Sequence, residues 1–241
     1  MKRAFPILAV LTAILLGYAF YEAMWVAPME RTMGDVQRIF YYHVPSAWTA
    51  FVLFFVNLVA SVLYLVRRNP KADAVALVSA EVGVVFCTIV LVTGPIWARP
   101  VWGIWWTWDL RLTLTLVLWL IYVSYLVLRR FSDSAQTPKL AAVLAIFGAL
   151  DVPLVYFSIW FFRTQHPQPV IGGGGSIDPR MMDVLLINWL AFSCFAFLVC
   201  WARYRLEMFR QEVDEAEALE LLLAPVARPV GSKIPLGGEP R

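Results

Sequence analysis

The sequence predicts an all-α integral membrane protein with six transmembrane helices, and three observations carry that prediction. Hydrophobic residues make up 61% of the chain and charged residues 15%, at a mean hydropathy of +0.69, whereas soluble domains average about 45–50% apolar and about 25% charged. The apolar residues gather into six runs, near 5–25, 46–66, 74–95, 112–128, 138–161 and 183–202. Each is close to the length, about 20 residues, that a helix needs to cross a bilayer core of about 30 Å. Lys and Arg, finally, divide unevenly between alternate loops. A formal charge of +3 spread over such loops sets topology and builds no polyanion-binding surface, so nucleic-acid binding and soluble nucleotide enzymes are excluded.

The first run follows Lys2 and Arg3 as a signal peptide would, but it outlasts an apolar h-region and ends in Tyr18, Phe20 and Tyr21 without a small-residue cleavage site. It is read as helix one. Helix two is expected to start at Pro45, a residue suited to a first helical turn, with His43 immediately before it. Glu81 in helix three and Asp151 in helix five lie in apolar surroundings and should face the bundle as neutral or hydrogen-bonded packing residues. Asp151 precedes Pro153 and has the further option of satisfying backbone donors at a proline kink. Asn57 and Asn188 read as interhelical hydrogen-bonders. Helix six is expected to continue through EVDEAEALELLLA as an amphipathic extension, and the Pro- and Gly-containing stretch after Pro225 to be disordered. The chain thus divides into a membrane domain, 1–205, and a tail, 206–241.

One side of the bundle collects Lys2, Arg3, Arg67, Arg68, Lys71, Arg129, Arg130, Lys139, Arg203, Arg205 and Arg210. The other has Arg31, Arg38, Arg99, Arg111, Arg163 and Arg180. The positive-inside rule then makes both termini cytoplasmic and puts the loops near 26–45, 96–111 and 162–182 outside. These outer loops are the longer ones and the expected place of function; Gly172 to Gly175 should form a flexible tip in the last of them.

Five of the eleven tryptophans, Trp97, Trp102, Trp105, Trp106 and Trp108, fall in the run TGPIWARPVWGIWWTWDLRLT at 93–113. If 102–109 were helical, Trp102, Trp105, Trp106 and Asp109 would share one face, with Trp108 and Arg111 pointing elsewhere. Such a face suits a large planar ligand such as haem, whose carboxylates Arg99 or Arg111 would hold through paired N–H donors. An interfacial anchor explains the same cluster equally well, because Trp is enriched where membrane meets water. Asp109 fits a helix cap or a partner of Arg111 better than a metal ligand. The chain has two histidines, His43 in RIFYYHVPSAW and His166 in FFRTQHP. Both are expected at the outer surface, where they are suitable axial donors for one haem iron or are two unrelated interface residues. Zinc fits less well, because it normally takes three protein ligands. Cys87, Cys194 and Cys200 lie in apolar runs without CxxC or CxxCH, so they read as packing residues.

In FYYHVPSAW, the long tryptophan block, DVPLVYFSIWFFRTQHP and NWL at 188–190, the sequence resembles the CcmC family, or haem exporter protein C, among the WWD-domain haem-handling proteins. The likeness covers about residues 30–200. It implies a six-helix protein of the bacterial inner membrane that binds non-covalent haem b as cargo at its periplasmic face. His43 and His166 match the family's axial ligands, and the WWD segment its platform. The implied partners are the periplasmic haem chaperone CcmE, the small membrane protein CcmD and the ATP-binding cassette pair CcmA and CcmB. The absence of a GxxxxGK[ST] motif agrees with ATP use by a partner, and no catalytic residue is implied. Two other classes compete with a haem-binding transfer protein. A transporter or permease subunit would use the Trp segment only as an anchor, and a cytochrome b-type redox enzyme is disfavoured because no His lies within a predicted span.

Overall fold

The computed structural model describes residues 4–132, 134–162, 164–169 and 177–223. Seven α-helices build the described part: α1 (Ala4–Tyr21), α2 (Phe40–Arg67), α3 (Pro70–Trp102), α4 (Leu110–Phe131), α5 (Thr137–Ala149), α6 (Asp151–Phe161) and α7 (Pro179–Leu223). A π-helical turn, Glu22–Val26, prolongs α1, and a 3-10 turn, Asp35–Ile39, leads into α2. Six of the resulting helical segments are long and apolar enough to cross a membrane, α5 and α6 together forming one of them. Glu81 and Asp151 sit within these segments as expected. The residues beyond 223 and the glycine tip at 172–175, for which disorder and flexibility were expected, lie outside the described residues.

Several boundaries differ from the sequence reading. His43 does not precede helix two; it lies inside α2, whose first turn reaches back to Phe40. Pro45 accordingly falls one turn inside the helix, where its missing N–H removes a single bond. Helix three runs on through Pro95 and Pro100 to Trp102. At about 1.5 Å per residue its 33 residues span about 50 Å, well beyond an apolar core of about 30 Å. Helix five breaks at Leu150, as a proline three residues on requires, but Asp151 supplies no cap there; its buried Oδ2 has no hydrogen-bond partner.

The core lies between α2, α3, α4 and α5, where Phe54, Leu77, Phe86, Leu118, Tyr122 and Tyr125 are buried together. Small residues allow the close approach: a Cβ on Gly83 would meet Phe54 Cε1 at 2.7 Å. Phe54 cannot retreat, because it stacks on Tyr122 with centroids 3.9 Å apart. Asn57 Nδ2 donates to the Ala76 carbonyl and Asn188 Nδ2 to the Ala19 carbonyl, so both bridge helices as expected. Apolar residues at Ile7, Val10, Leu11 and Ile14 of α1 and at Phe55, Val59 and Val66 of α2 stay exposed, which suits contact with lipid.

Two ion pairs tie the end of the bundle opposite the tryptophan segment. Arg129 makes a bidentate pair with Asp73 at 2.6 Å and 2.6 Å, and Arg203 another with Glu81 at 2.8 Å and 2.7 Å. Glu81 is therefore hydrogen-bonded, with a partner far along the chain. The acidic extension continues α7 without a break to Leu223.

Candidate functional site: an aromatic cavity between two histidines

The start of α2, the end of α3, the start of α4, the segment after α6 and the start of α7 meet at one end of the bundle. Together with the loop at 28–33 they enclose a mainly apolar cavity of about 1190 Å³, larger than the roughly 300–1,000 Å³ of ordinary small-ligand pockets. His43, His166, Trp102, Trp105, Trp106 and Arg111 all line it.

The tryptophan segment is not helical. Gly103, with φ +78°, ends α3 in the left-handed conformation that favours glycine, and residues 104–109 form an irregular connector. Asp109 then starts α4, its Oδ1 accepting from the Leu112 N–H at 3.1 Å and its Oδ2 from the Thr107 hydroxyl at 2.8 Å. The single helical face drawn from i, i+3, i+4 and i+7 spacing is thus replaced by a strap, because Gly103 ends one helix and Asp109 caps the next. Asp109 is a helix cap, as the sequence suggested. Arg111, expected to point away from the tryptophans, enters the same cavity.

Two residues of the sequence-derived set lie elsewhere. Arg99 is exposed, donates to the Gly103 carbonyl and does not line the cavity. Trp108 is 76% exposed; it meets Trp106 edge-on at 5.8 Å and borders a shallow neighbouring groove with Leu91, Trp106 and Leu116. Conversely, Trp97, Tyr156, Trp189 and Arg31 line the cavity although the sequence reading gave them no site role. Trp97, Tyr156 and Trp189 lie within the motifs that carry the family resemblance, which could have flagged them; nothing in the local sequence singles out Arg31.

The two imidazoles are neighbours, their centroids 6.4 Å apart and their planes inclined by 34°. His43 is buried, and its Nδ1 lies 2.9 Å from Thr93 Oγ1. His166 Nδ1 donates to the Pro167 carbonyl at 2.9 Å, which fixes its proton on Nδ1 because a carbonyl only accepts. Burial, reinforced by the Arg111 charge, pushes the His166 imidazole down to about 4, so it is a neutral donor at pH 7. Neither Nε2 has a hydrogen-bond partner among the described residues.

Four cavity-lining side chains also carry buried N–H groups without an acceptor among the described residues: Trp97 Nε1, Trp106 Nε1, Trp189 Nε1 and Arg111 Nη1. Arg38 and Arg180 are paired with Asp35 and Asp178, whereas Arg111 has no ion pair among the described residues. The cavity therefore offers a large apolar surface, surplus donors, two arginines, Arg31 and Arg111, without an ion pair among the described residues, and two free imidazole nitrogens. Among the described residues no group of three His, Cys, Asp or Glu could hold a bare metal ion.

Comparison with known proteins agrees in one direction. The family model described as Heme exporter protein C matches residues 1–219. The chain belongs to the heme exporter protein C family. It is 35% identical over 221 residues to the heme exporter protein C of Bradyrhizobium diazoefficiens, covering 90% of this chain and 84% of that one. The Escherichia coli K12 protein of the same name is 34% identical over 206 residues, 85% of this chain and 82% of the other. A ccmC-like mitochondrial cytochrome c biosynthesis protein of Marchantia polymorpha is 34% identical over 185 residues, 76% and 78% of the two chains. Family membership spans all the elements that build the cavity.

Proposed function

We propose that this protein binds haem in the aromatic cavity and hands it on during cytochrome c maturation, with His43 and His166 as the two axial ligands. The observation that carries the reading is the spacing of the imidazoles. Two rings that bind one metal from opposite sides through nitrogens at about 2 Å, as imidazole binds zinc, have centroids roughly 6–6.5 Å apart; the observed separation is 6.4 Å. Both Nδ1 atoms are engaged, which leaves Nε2 as the donor on each. Trp102, Trp105 and Trp106 would pack against the macrocycle, and Arg111 would hold a propionate through charge-assisted hydrogen bonds. Trp108 and Arg99, outside the cavity, are assigned to its rim and to helix termination.

Haem b is the cargo, since the sequence contains no CxxCH for covalent attachment. In this reading the cavity faces the periplasm from the bacterial inner membrane, with both termini cytoplasmic, and the acceptor is the haem chaperone CcmE. CcmD and the ATP-binding cassette subunits CcmA and CcmB supply the complex and the ATP hydrolysis. Residues 1–205 are the haem-handling domain and 206–241 a cytoplasmic appendage. Haem held by two exchangeable nitrogen bonds can be released when an acceptor's side chain displaces one of them.

The test is spectroscopic. The purified protein should show a six-coordinate, low-spin haem spectrum, and His43→Gly and His166→Gly should each give a five-coordinate, high-spin haem or lose haem, with partial rescue by added imidazole. A colourless protein, or a single variant with an unchanged low-spin spectrum, would overturn the assignment.

A further inference from the structure

Thr93, Gly94 and Pro95 open the tryptophan block, and the haem contacts proposed above make no use of their side chains. They nevertheless lie against one of the two imidazoles. The Thr93 hydroxyl sits 2.6 Å from the Ile89 carbonyl, one turn back on α3, and a carbonyl can only accept. The single hydroxyl proton of Thr93 is therefore committed to Ile89. Toward His43, 2.9 Å away, the same oxygen can only accept, so His43 Nδ1 must carry the ring proton and Nε2 the lone pair.

The next residue leaves the ring its space. A Cβ on Gly94 would stand 3.4 Å from His43 Cε1, the carbon that joins the two ring nitrogens. Trp97, one turn further along α3, meets the imidazole edge-on at 5.8 Å and 71°. Two positions of one helix thus hold a side chain of another, by a hydrogen bond and an aromatic edge, with Gly94 between them leaving room for the ring.

We propose that Thr93 is a positioning residue for His43: it selects the tautomer whose Nε2 is free to bind iron and, with Trp97, keeps the ring in one orientation whether or not cargo is present. The inference rests on the axial reading of His43. A protein that repeatedly accepts and releases its cargo needs this more than one that keeps it, because an imidazole freed of iron would otherwise rotate or change tautomer before the next haem arrives. The hydrogen bond also raises the basicity of the ligating nitrogen, as outer partners of metal-bound histidines do.

The experiment compares full-length haem-loaded protein with Thr93→Val, Thr93→Ser and His43→Gly variants and the His43→Gly/Thr93→Val double variant. The readouts are the rate of haem loss to a scavenging apoprotein and the low-spin electron paramagnetic resonance signal. Thr93→Val, which keeps the shape and removes the acceptor, should lose haem about 10- to 100-fold faster, the range for outer-shell partners of metal ligands, and shift the low-spin signal. Thr93→Ser should behave as the parent. In the His43→Gly background Thr93→Val should have no further effect, which general damage to α3 would not produce. Thr93→Ala should reproduce the valine result and serves if that variant does not accumulate. A Thr93→Val protein identical to the parent, or one whose loss adds in full to that of His43→Gly, overturns the role of Thr93 while leaving His43 as ligand. An unchanged spectrum in His43→Gly overturns the axial reading and this inference with it.

Discussion

Arg111 and Arg99 show what a residue's type leaves undecided. Both are arginines bordering the same aromatic run, and sequence alone made them equal candidates for binding carboxylates. The fold puts Arg111 on the first turn of α4, inside the cavity and without an ion pair among the described residues, while Arg99 spends a guanidinium N–H on the carbonyl of the glycine that ends α3. Arg111→Leu should therefore weaken haem retention by roughly 10- to 100-fold, the equivalent of the 1.5–3 kcal/mol typical of a hydrogen bond to a charged group, measured as haem loss from purified protein. Arg99→Gln should leave retention close to that of the parent. The histidines follow the same logic: their types suggested ligands, but only the approach of two distant segments to 6.4 Å makes them a pair.

The tryptophan connector is the element where the helical periodicity argument failed. A helical wheel presumes that the helix continues, and Gly103 at φ +78° with Asp109 capping the next helix divides the segment instead. Its tryptophans still reach one cavity, because a strap anchored at both ends can turn side chains inward without a 3.6-residue repeat. Replacing Trp102, Trp105 and Trp106 together by Ala should lower haem retention and transfer while leaving membrane insertion intact; normal haem content in that triple variant would reduce the segment to an interfacial anchor. Gly103→Val forces a branched residue into the left-handed region at a cost of about 1–2 kcal/mol, which should appear as a lower melting temperature together with weaker haem binding. At the other end of the bundle, the Arg129–Asp73 pair has both side chains only 10% exposed. Arg129→Leu leaves a buried carboxylate without its partner and should cost about 3–5 kcal/mol, whereas replacing both residues by apolar ones should cost much less. Thermal unfolding in detergent distinguishes the two.

At the scale of the whole molecule, α2, α3 and α7 are longer than a membrane requires. The 45 residues of α7 extend about 68 Å at about 1.5 Å per residue, more than twice an apolar core of about 30 Å. About half of the excess is the acidic segment beyond Arg210, at the end remote from the cavity. In the function proposed above that end is cytoplasmic, a reading supported by the distribution of Lys and Arg. Reporters fused after residue 70 or 134 should accordingly report cytoplasm, and tags near 34 or 174 should be accessible from outside. A cytoplasmic tag at 174 would turn the cavity away from the periplasm and overturn the route proposed for haem.

The sequence by itself determined the number of spans, their approximate limits, the interhelical roles of Asn57 and Asn188 and the cap at Asp109, and it singled out the two histidines and the tryptophan segment as site candidates. These depend on hydrophobic run length, local hydrogen-bonding options and side-chain chemistry, all of which act within a few residues of chain. Only the tertiary structure decided which arginine enters the cavity, that Glu81 pairs with Arg203, that Trp97 and Trp189 join the site and that Thr93 fixes the proton on His43. Each of those outcomes depends on how distant helices are placed relative to one another, and one sequence read along its length carries no term for the distance between them.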